Sequence, residues 1–101
     1  MKNMPFGIAL LLAAGMSTPA ISANLTESGI GETIGVTCYG CHGYNGVSQG
    51  AVPSLKGHKD VAQALKDFKS GKRSGTIMDR IAKGYSDSDI EAVGNYFAAM
   101  K

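Results

Sequence analysis

The stretch TCYGCHGYNG, residues 37–46, holds both cysteines of the chain, Cys38 and Cys41, with His42 directly after the second. Few chemistries use Cys-x-x-Cys, and the neighbouring histidine separates them. A zinc site needs four protein ligands; here two thiols, His42 and His58 are on offer, and His42, adjacent to Cys41, is badly placed to close a tetrahedron with both sulfurs. A thioredoxin-type dithiol belongs in a strand–helix–strand setting, and no run of this sequence keeps the period-two alternation of a half-buried strand. A plain structural disulfide is a third use of the pair.

The fourth use is covalent haem attachment, for which C-x-x-C-H is the signature. On a helical turn, residues three apart lie on one side, so both sulfurs reach the two vinyl groups along one porphyrin edge. The next residue projects beneath the ring, where the imidazole of His42 meets the iron.

The start of the chain supports that reading. Residues 1–23, MKNMPFGIALLLAAGMSTPAISA, carry one basic residue (Lys2), an apolar run from Met4 to about Met16, and small residues toward Ala23, the layout of a secretory leader. That apolar run is shorter than a membrane-spanning helix, which needs roughly 20 residues. Cleavage after Ala20, Ser22 or Ala23 is therefore expected, rather than a stable membrane anchor. The c-type haem is attached outside the cytoplasm, so leader and motif reinforce each other and predict a periplasmic bacterial protein.

Removing 23 of the 101 residues leaves 78, residues 24–101, as one domain. At that size a hydrophobic core alone contributes little net stability, and a staple is needed. A haem bonded to the chain is such a staple: a large apolar disc against which helices pack. With Lys2 gone, nine basic side chains face eight acidic ones, a balance that argues against nucleic-acid binding.

The remaining sequence predicts an all-α fold of about four helices in the order helix, loop, helix, helix, helix. A first helix runs from about Thr26 to Cys38 with Ile30 and Ile34 on one face; Gly29, Gly31 and Gly35 weaken it and suggest that another helix crosses closely there. VAQALKDFKSG, from Val61, puts Val61, Ala64, Leu65 and Phe68 on one stripe and stops at Gly71. TIMDRIAKG is a short helix with Thr76 as candidate cap and Gly84 as stop, and SDSDIEAVGNYFAAMK is the clearest, capped by Ser86, with Ile90, Val93, Phe97 and Met100 sharing a face. The long glycine-rich loop between the first two helices is expected to wrap around something.

Electron carriers keep the iron six-coordinate, often with His and Met. The methionines after the leader are Met78 and Met100. Met78, 36 residues after His42 and just ahead of the last helix, is the expected sixth ligand; Met100, on the apolar stripe, is expected to fill the core, and His58 is the rival ligand. Pro53, eleven residues after His42, is expected to accept the proton of the second ring nitrogen through its carbonyl and so orient the imidazole.

CYGCHG, PSLKG, DFKSGKR and TIMDRIAKGYSDSDIEAVGNYFAAM together resemble a class I cytochrome c domain, most like the cytochrome subunits of flavocytochrome c sulfide dehydrogenases. The resemblance covers nearly all of residues 24–101. It implies a small class I fold around one haem, thioethers at Cys38 and Cys41, His42 as proximal and Met78 as distal ligand, and a crossing of the first and last helices at Gly29, Gly31 or Gly35 against Tyr96 and Phe97. It also implies a partner subunit with FAD that oxidises sulfide, whose electrons the chain passes singly to an acceptor cytochrome. Some family members have two haem domains; a lone C-x-x-C-H reads as the single-haem form.

A freely diffusing carrier shares the same haem chemistry, and only the surface separates the two. Lys59, Lys66 and Lys69 share a helix face near Lys56, Lys72 and Arg73, a patch able to steer an acidic partner unless Asp60 and Asp67 make it a mixed, solvated face. A permanent subunit should expose apolar area, for which Val47, Val52 and Ile77 are candidates. Met78 argues against a haem enzyme with an open iron position. No carboxylate pair or nucleophile with its base stands out, so no catalysis by the chain alone is expected.

Overall fold

The computed structural model describes residue 15 and residues 26–101; the leader therefore lies outside the described residues apart from Gly15. Four helices follow one another: α1 (Glu27–His42), α2 (Val61–Ser70), α3 (Met78–Ala82) and α4 (Asp87–Ala98). A single 3₁₀ turn, Tyr44–Gly46, follows α1, and there is no strand among the described residues. This is the all-α order of about four helices that the sequence predicts.

Helix ends follow local chemistry. Thr26 caps α1, its side-chain oxygen accepting from the Gly29 amide at 3.2 Å, the usual work of a threonine at that position. Ser86 and Asp89 form a reciprocal capping box at the start of α4, where Asp87 and Asp89 also suit the positive end of the helix dipole. Gly71 ends α2 in the left-handed conformation at φ 84°, which a residue without Cβ adopts at no steric cost. Two boundaries differ from expectation. The first helix runs one turn beyond Cys38, to His42, so the whole motif is helical. The third begins at Met78 with Ile77 as its cap residue, and Thr76 makes no capping bond. Ile77 and Ile81 stand exposed, while Ala82 is the buried residue of α3.

The buried apolar side chains are Val61, Ala82, Ile90, Ala92, Val93 and Phe97. Val61, Val93 and Phe97 form the centre, and Ile34, Cys38, Tyr39, Leu55, Leu65, Tyr96 and Met100 pack on it half-buried. Met100 thus has the packing place expected of it, just past the end of α4.

The crossing of α1 and α4 explains the helix-weakening glycines. A methyl group on Gly31 would run into the Ala92 carbonyl, whose carbon lies 2.9 Å away, and one on Gly35 would enter the Tyr96 ring. Gly29 has no such neighbour beyond the Thr26 hydroxyl, so Gly31 and Gly35 alone make the close approach, and to Ala92 and Tyr96 rather than Phe97. On the other side of α4, Gly94 admits Ala62 of α2, whose Cβ would be 2.6 Å from an added methyl.

Gly31→Ala is expected to destabilise the protein by about 2 kcal/mol, because backbone rather than a flexible side chain must give way. Gly29→Ala, on the same helix, where an added methyl meets only the Thr26 hydroxyl oxygen at 3.4 Å, should instead stabilise it by about 0.5–1 kcal/mol. Urea unfolding midpoints of the two variants, at unchanged slope, check the contrast.

Candidate functional site

The last turn of α1 sets the site. Cys38 is half-buried and Cys41 exposed, and both are free thiols three residues apart on one helix, hence on one side of it. Burial pushes the Cys38 thiol above its ordinary pKa. Its Sγ lies 3.5 Å from the Ile34 carbonyl. His42 is the buried polar side chain of the core region, 8% exposed.

The chain then doubles back. Gly43 leaves α1 at φ 92°, its amide still bonded to the Tyr39 carbonyl at 2.9 Å. The 3₁₀ turn follows, closed by the Gly46 amide on the Gly43 carbonyl (2.9 Å), with Asn45 in the left-handed region at φ 55°, a conformation asparagine tolerates. The Gly46 carbonyl accepts from the amides of Leu55 (2.7 Å) and Lys56 (3.1 Å), and the Gly57 amide donates to the Phe97 carbonyl at the end of α4 (2.8 Å). The loop is thereby closed on the turn that follows α1 and tied to the C-terminal end of α4, with Pro53 against His42.

The result is a 2.6 Å contact between His42 Nδ1 and the Pro53 carbonyl oxygen. A carbonyl only accepts, so Nδ1 carries the hydrogen and donates, and in the neutral imidazole the lone pair is then on Nε2. An imidazole held by one nitrogen with the other free is the form that ligates a metal.

Met78 stands on a separate element. It is half-buried at the first position of α3, with Gly75 and Phe68 beside it. His58, the rival ligand, sits in the exposed loop, its side chain 55% exposed with Nδ1 3.9 Å from Asp60. Among the described residues no group of three or more His, Cys, Asp and Glu side chains gathers as a metal site.

The donor set fits a haem of the c type: two thiols on one side of a helix, an imidazole oriented through Nδ1, and a thioether elsewhere in the chain. The apolar surface fits too. The loop after His42 and the segment around Met78 leave Val47, Val52, Ile77 and Ile81 exposed, Ile77 by 57%. In a protein with so small a core, that is apolar area an apolar group can cover.

One contact at the site has no signal in the sequence. The hydroxyls of Tyr39, inside the motif, and Tyr96, on α4, share a hydrogen bond across 57 residues. Tyr39 also meets two rings edge to face, Tyr44 at 5.8 Å between centroids and Phe97 at 6.4 Å, the arrangement that aromatic quadrupoles favour. Only the position of Tyr39, four residues after the crossing glycine Gly35, hints that its ring faces α4.

Two cations of the basic patch are paired within the molecule: Lys66 bonds to Glu91, and Lys69 Nζ stands 3.1 Å from Asp87, so α2 and α4 are bridged by charge. Their partners are on α4 rather than the neighbouring Asp60 and Asp67.

Comparison with known proteins agrees with the geometry. The chain is 40% identical to the cytochrome subunit of sulfide dehydrogenase of Chlorobaculum tepidum, over 90% of each chain. It is 30% identical to cytochrome c4 of Pseudomonas aeruginosa over 93% of its own length and 47% of that protein's. It is 32% identical to the thiosulfate dehydrogenase electron acceptor of Stutzerimonas stutzeri, over 93% of itself and 45% of the relative. No protein-family model matches the chain.

The Tyr39 hydrogen bond, with burial behind it, pushes the Tyr96 hydroxyl from its ordinary 10.0 up to about 12, since both disfavour the phenolate. A tyrosine whose folded value lies above its unfolded one stabilises the fold fully below the unfolded value and loses that contribution as pH rises through the folded one. Thermal midpoints should therefore fall across the window from pH 10.0 to about 12, and Tyr96→Phe should flatten this part of the fall.

Proposed function

The chain belongs to the class I cytochrome c family, and from that membership we propose that it is an exported electron-transfer protein carrying one covalently bound haem c. The observation that carries the reading is the orientation of His42, buried, with Nδ1 on the Pro53 carbonyl and Nε2 free, one residue past the second thiol. When bound there, haem c supplies a one-electron iron couple.

Cys38 and Cys41 would fasten the group through thioethers. The imidazole of His42 would ligate the iron, and the Pro53 carbonyl orients the ring and raises its basicity. The Met78 thioether would be the second iron ligand from the chain, a choice that raises the reduction potential. Val47, Val52, Ile77 and Ile81 lie on the segments that flank the two ligands and exclude water from the group. Residues 1–23 direct the chain out of the cytoplasm into a bacterial periplasm and are removed, leaving residues 24–101. Among the described residues no helix is long and apolar enough to cross a membrane.

The electron donor is an FAD-containing, sulfide-oxidising subunit, and an acceptor cytochrome takes the electrons on. The likeness to a sulfide dehydrogenase subunit supports this, and the thiosulfate dehydrogenase acceptor supports an electron source in sulfur oxidation. The chain itself makes and breaks no substrate bond. A docked subunit accords with the exposed Val47, Val52 and Ile77, and with Lys66 and Lys69 spent on internal pairs. A freely diffusing carrier relies more on long-range charge steering.

The purified exported protein is expected to keep its red colour through acid-acetone extraction, while Cys38→Ala/Cys41→Ala loses it; colour lost from the unsubstituted protein overturns covalent attachment. In size-exclusion chromatography of a native extract the protein is expected to co-elute with a yellow flavoprotein. A lone small haem peak identifies a freely diffusing carrier instead.

A further inference from the structure

Met78 begins a helix of five residues, too short to hold its own geometry in water, so its position has to come from tertiary contacts. The segment that leads into it, Arg73 to Gly75, packs on Phe68 of α2. The Arg73 guanidinium carbon lies 4.8 Å from the centroid of the Phe68 ring, a cation–π contact. Gly75 lies against the same ring: a methyl group there would come 2.8 Å from Cε1 and 3.3 Å from Cδ1, and 3.6 Å from the Cβ of Met78.

The backbone between α2 and α3 is folded to make this clasp. Gly71 turns left-handed with its amide on the Phe68 carbonyl at 3.3 Å, and the Arg73 amide bonds to the Asp67 carbonyl at 3.0 Å, carrying Arg73 back over the end of α2. The chain then passes the ring at Gly75 and enters α3, whose first turn is closed by the Arg80 and Ile81 amides on the Ile77 carbonyl. Phe68 is half-buried and Arg73 exposed, so the guanidinium covers the ring from the solvent side.

We propose that Phe68, clasped between the Arg73 guanidinium and the Gly75 backbone, is a positioning residue for Met78: it fixes the turn that feeds α3 and so the place of the thioether. The inference rests on Met78 as the distal ligand. Phe68 touches no reacting atom. It acts by keeping Met78 where the thioether stays bound, against exchange with an outside ligand.

The test uses the holoprotein and two optical readouts, the thioether-to-iron charge-transfer band in the red and titration with free imidazole, which competes with Met78. Phe68→Leu and Gly75→Ala should weaken the band and bind imidazole about tenfold tighter, because apparent affinity rises with the fraction of molecules whose ligand has let go. Phe68→Tyr, which keeps the ring, should retain the unsubstituted values, and Arg73→Gln should shift both readouts the same way by less. An unchanged band and imidazole affinity in Phe68→Leu and Gly75→Ala, with helix content and thioether attachment intact, overturns the proposal. If those two variants do not fold, Arg73→Gln at its exposed position decides, and no shift there overturns it equally. The premise fails separately: an unsubstituted protein without the band, whose spectrum Met78→Ala leaves unchanged, removes Met78 as the ligand and the proposal with it.

Discussion

A hydrogen bond from His42 to the Pro53 carbonyl closes the loop that follows α1, and the site depends on that closure. Without it the imidazole at a helix end would turn freely and present either nitrogen. With it, one nitrogen is committed and the other is left for a metal. The loop around the bond, 2.6 Å long, is also held by the Gly46 carbonyl on the Leu55 and Lys56 amides and by the Gly57 amide on the end of α4. Pro53 suits the place: it contributes an acceptor and no amide, so nothing on its own backbone competes for the ring.

The helices supply the other half of the support. α1 carries the motif and leans on α4 at Gly31 and Gly35, where the absence of side chains lets the Ala92 carbonyl and the Tyr96 ring come close. Glycine weakens a helix by up to about 1 kcal/mol against alanine, and the crossing offsets that cost by burying the motif side of α1. The Tyr39–Tyr96 hydroxyl bond extends the same contact to within three residues of His42, so the packing of two helices and the setting of the ligand turn are one structure. On the far side α2 reaches α4 at Ala62 and Gly94, and its Phe68 packs against Arg73 and Gly75 of the segment that leads to Met78.

The surface divides in the same way. Charges on α2 and α4 are spent on each other, Lys66 with Glu91 and Lys69 with Asp87, as exposed pairs that add little stability and mainly cancel a field. Apolar side chains remain outside on the segments next to the two candidate ligands. Few hydrophobic side chains are buried among the described residues, and a domain of this size gains from a core group beyond its own side chains. The proposed haem and docked partner would account for both features.

The sequence alone determined the helix order, the caps at Thr26 and Ser86, the stop at Gly71, and the grouping of Cys38, Cys41 and His42, because each follows from neighbours within one or two turns. It also reached the Pro53 carbonyl, eleven residues on, since a proline offers an acceptor without a donor. It placed the end of α1 a turn early, because a glycine-rich stretch reads as a weak helix until α4 is seen packed against it. It did not show that Lys66 and Lys69 pair with Glu91 and Asp87, 25 and 18 residues away, since only the packing of α2 on α4 brings them together. The Tyr39–Tyr96 bond and the clasp of Phe68 by Arg73 and Gly75 belong to the tertiary structure alone: nothing in local propensity says which ring meets which hydroxyl or backbone once the chain has folded back on itself.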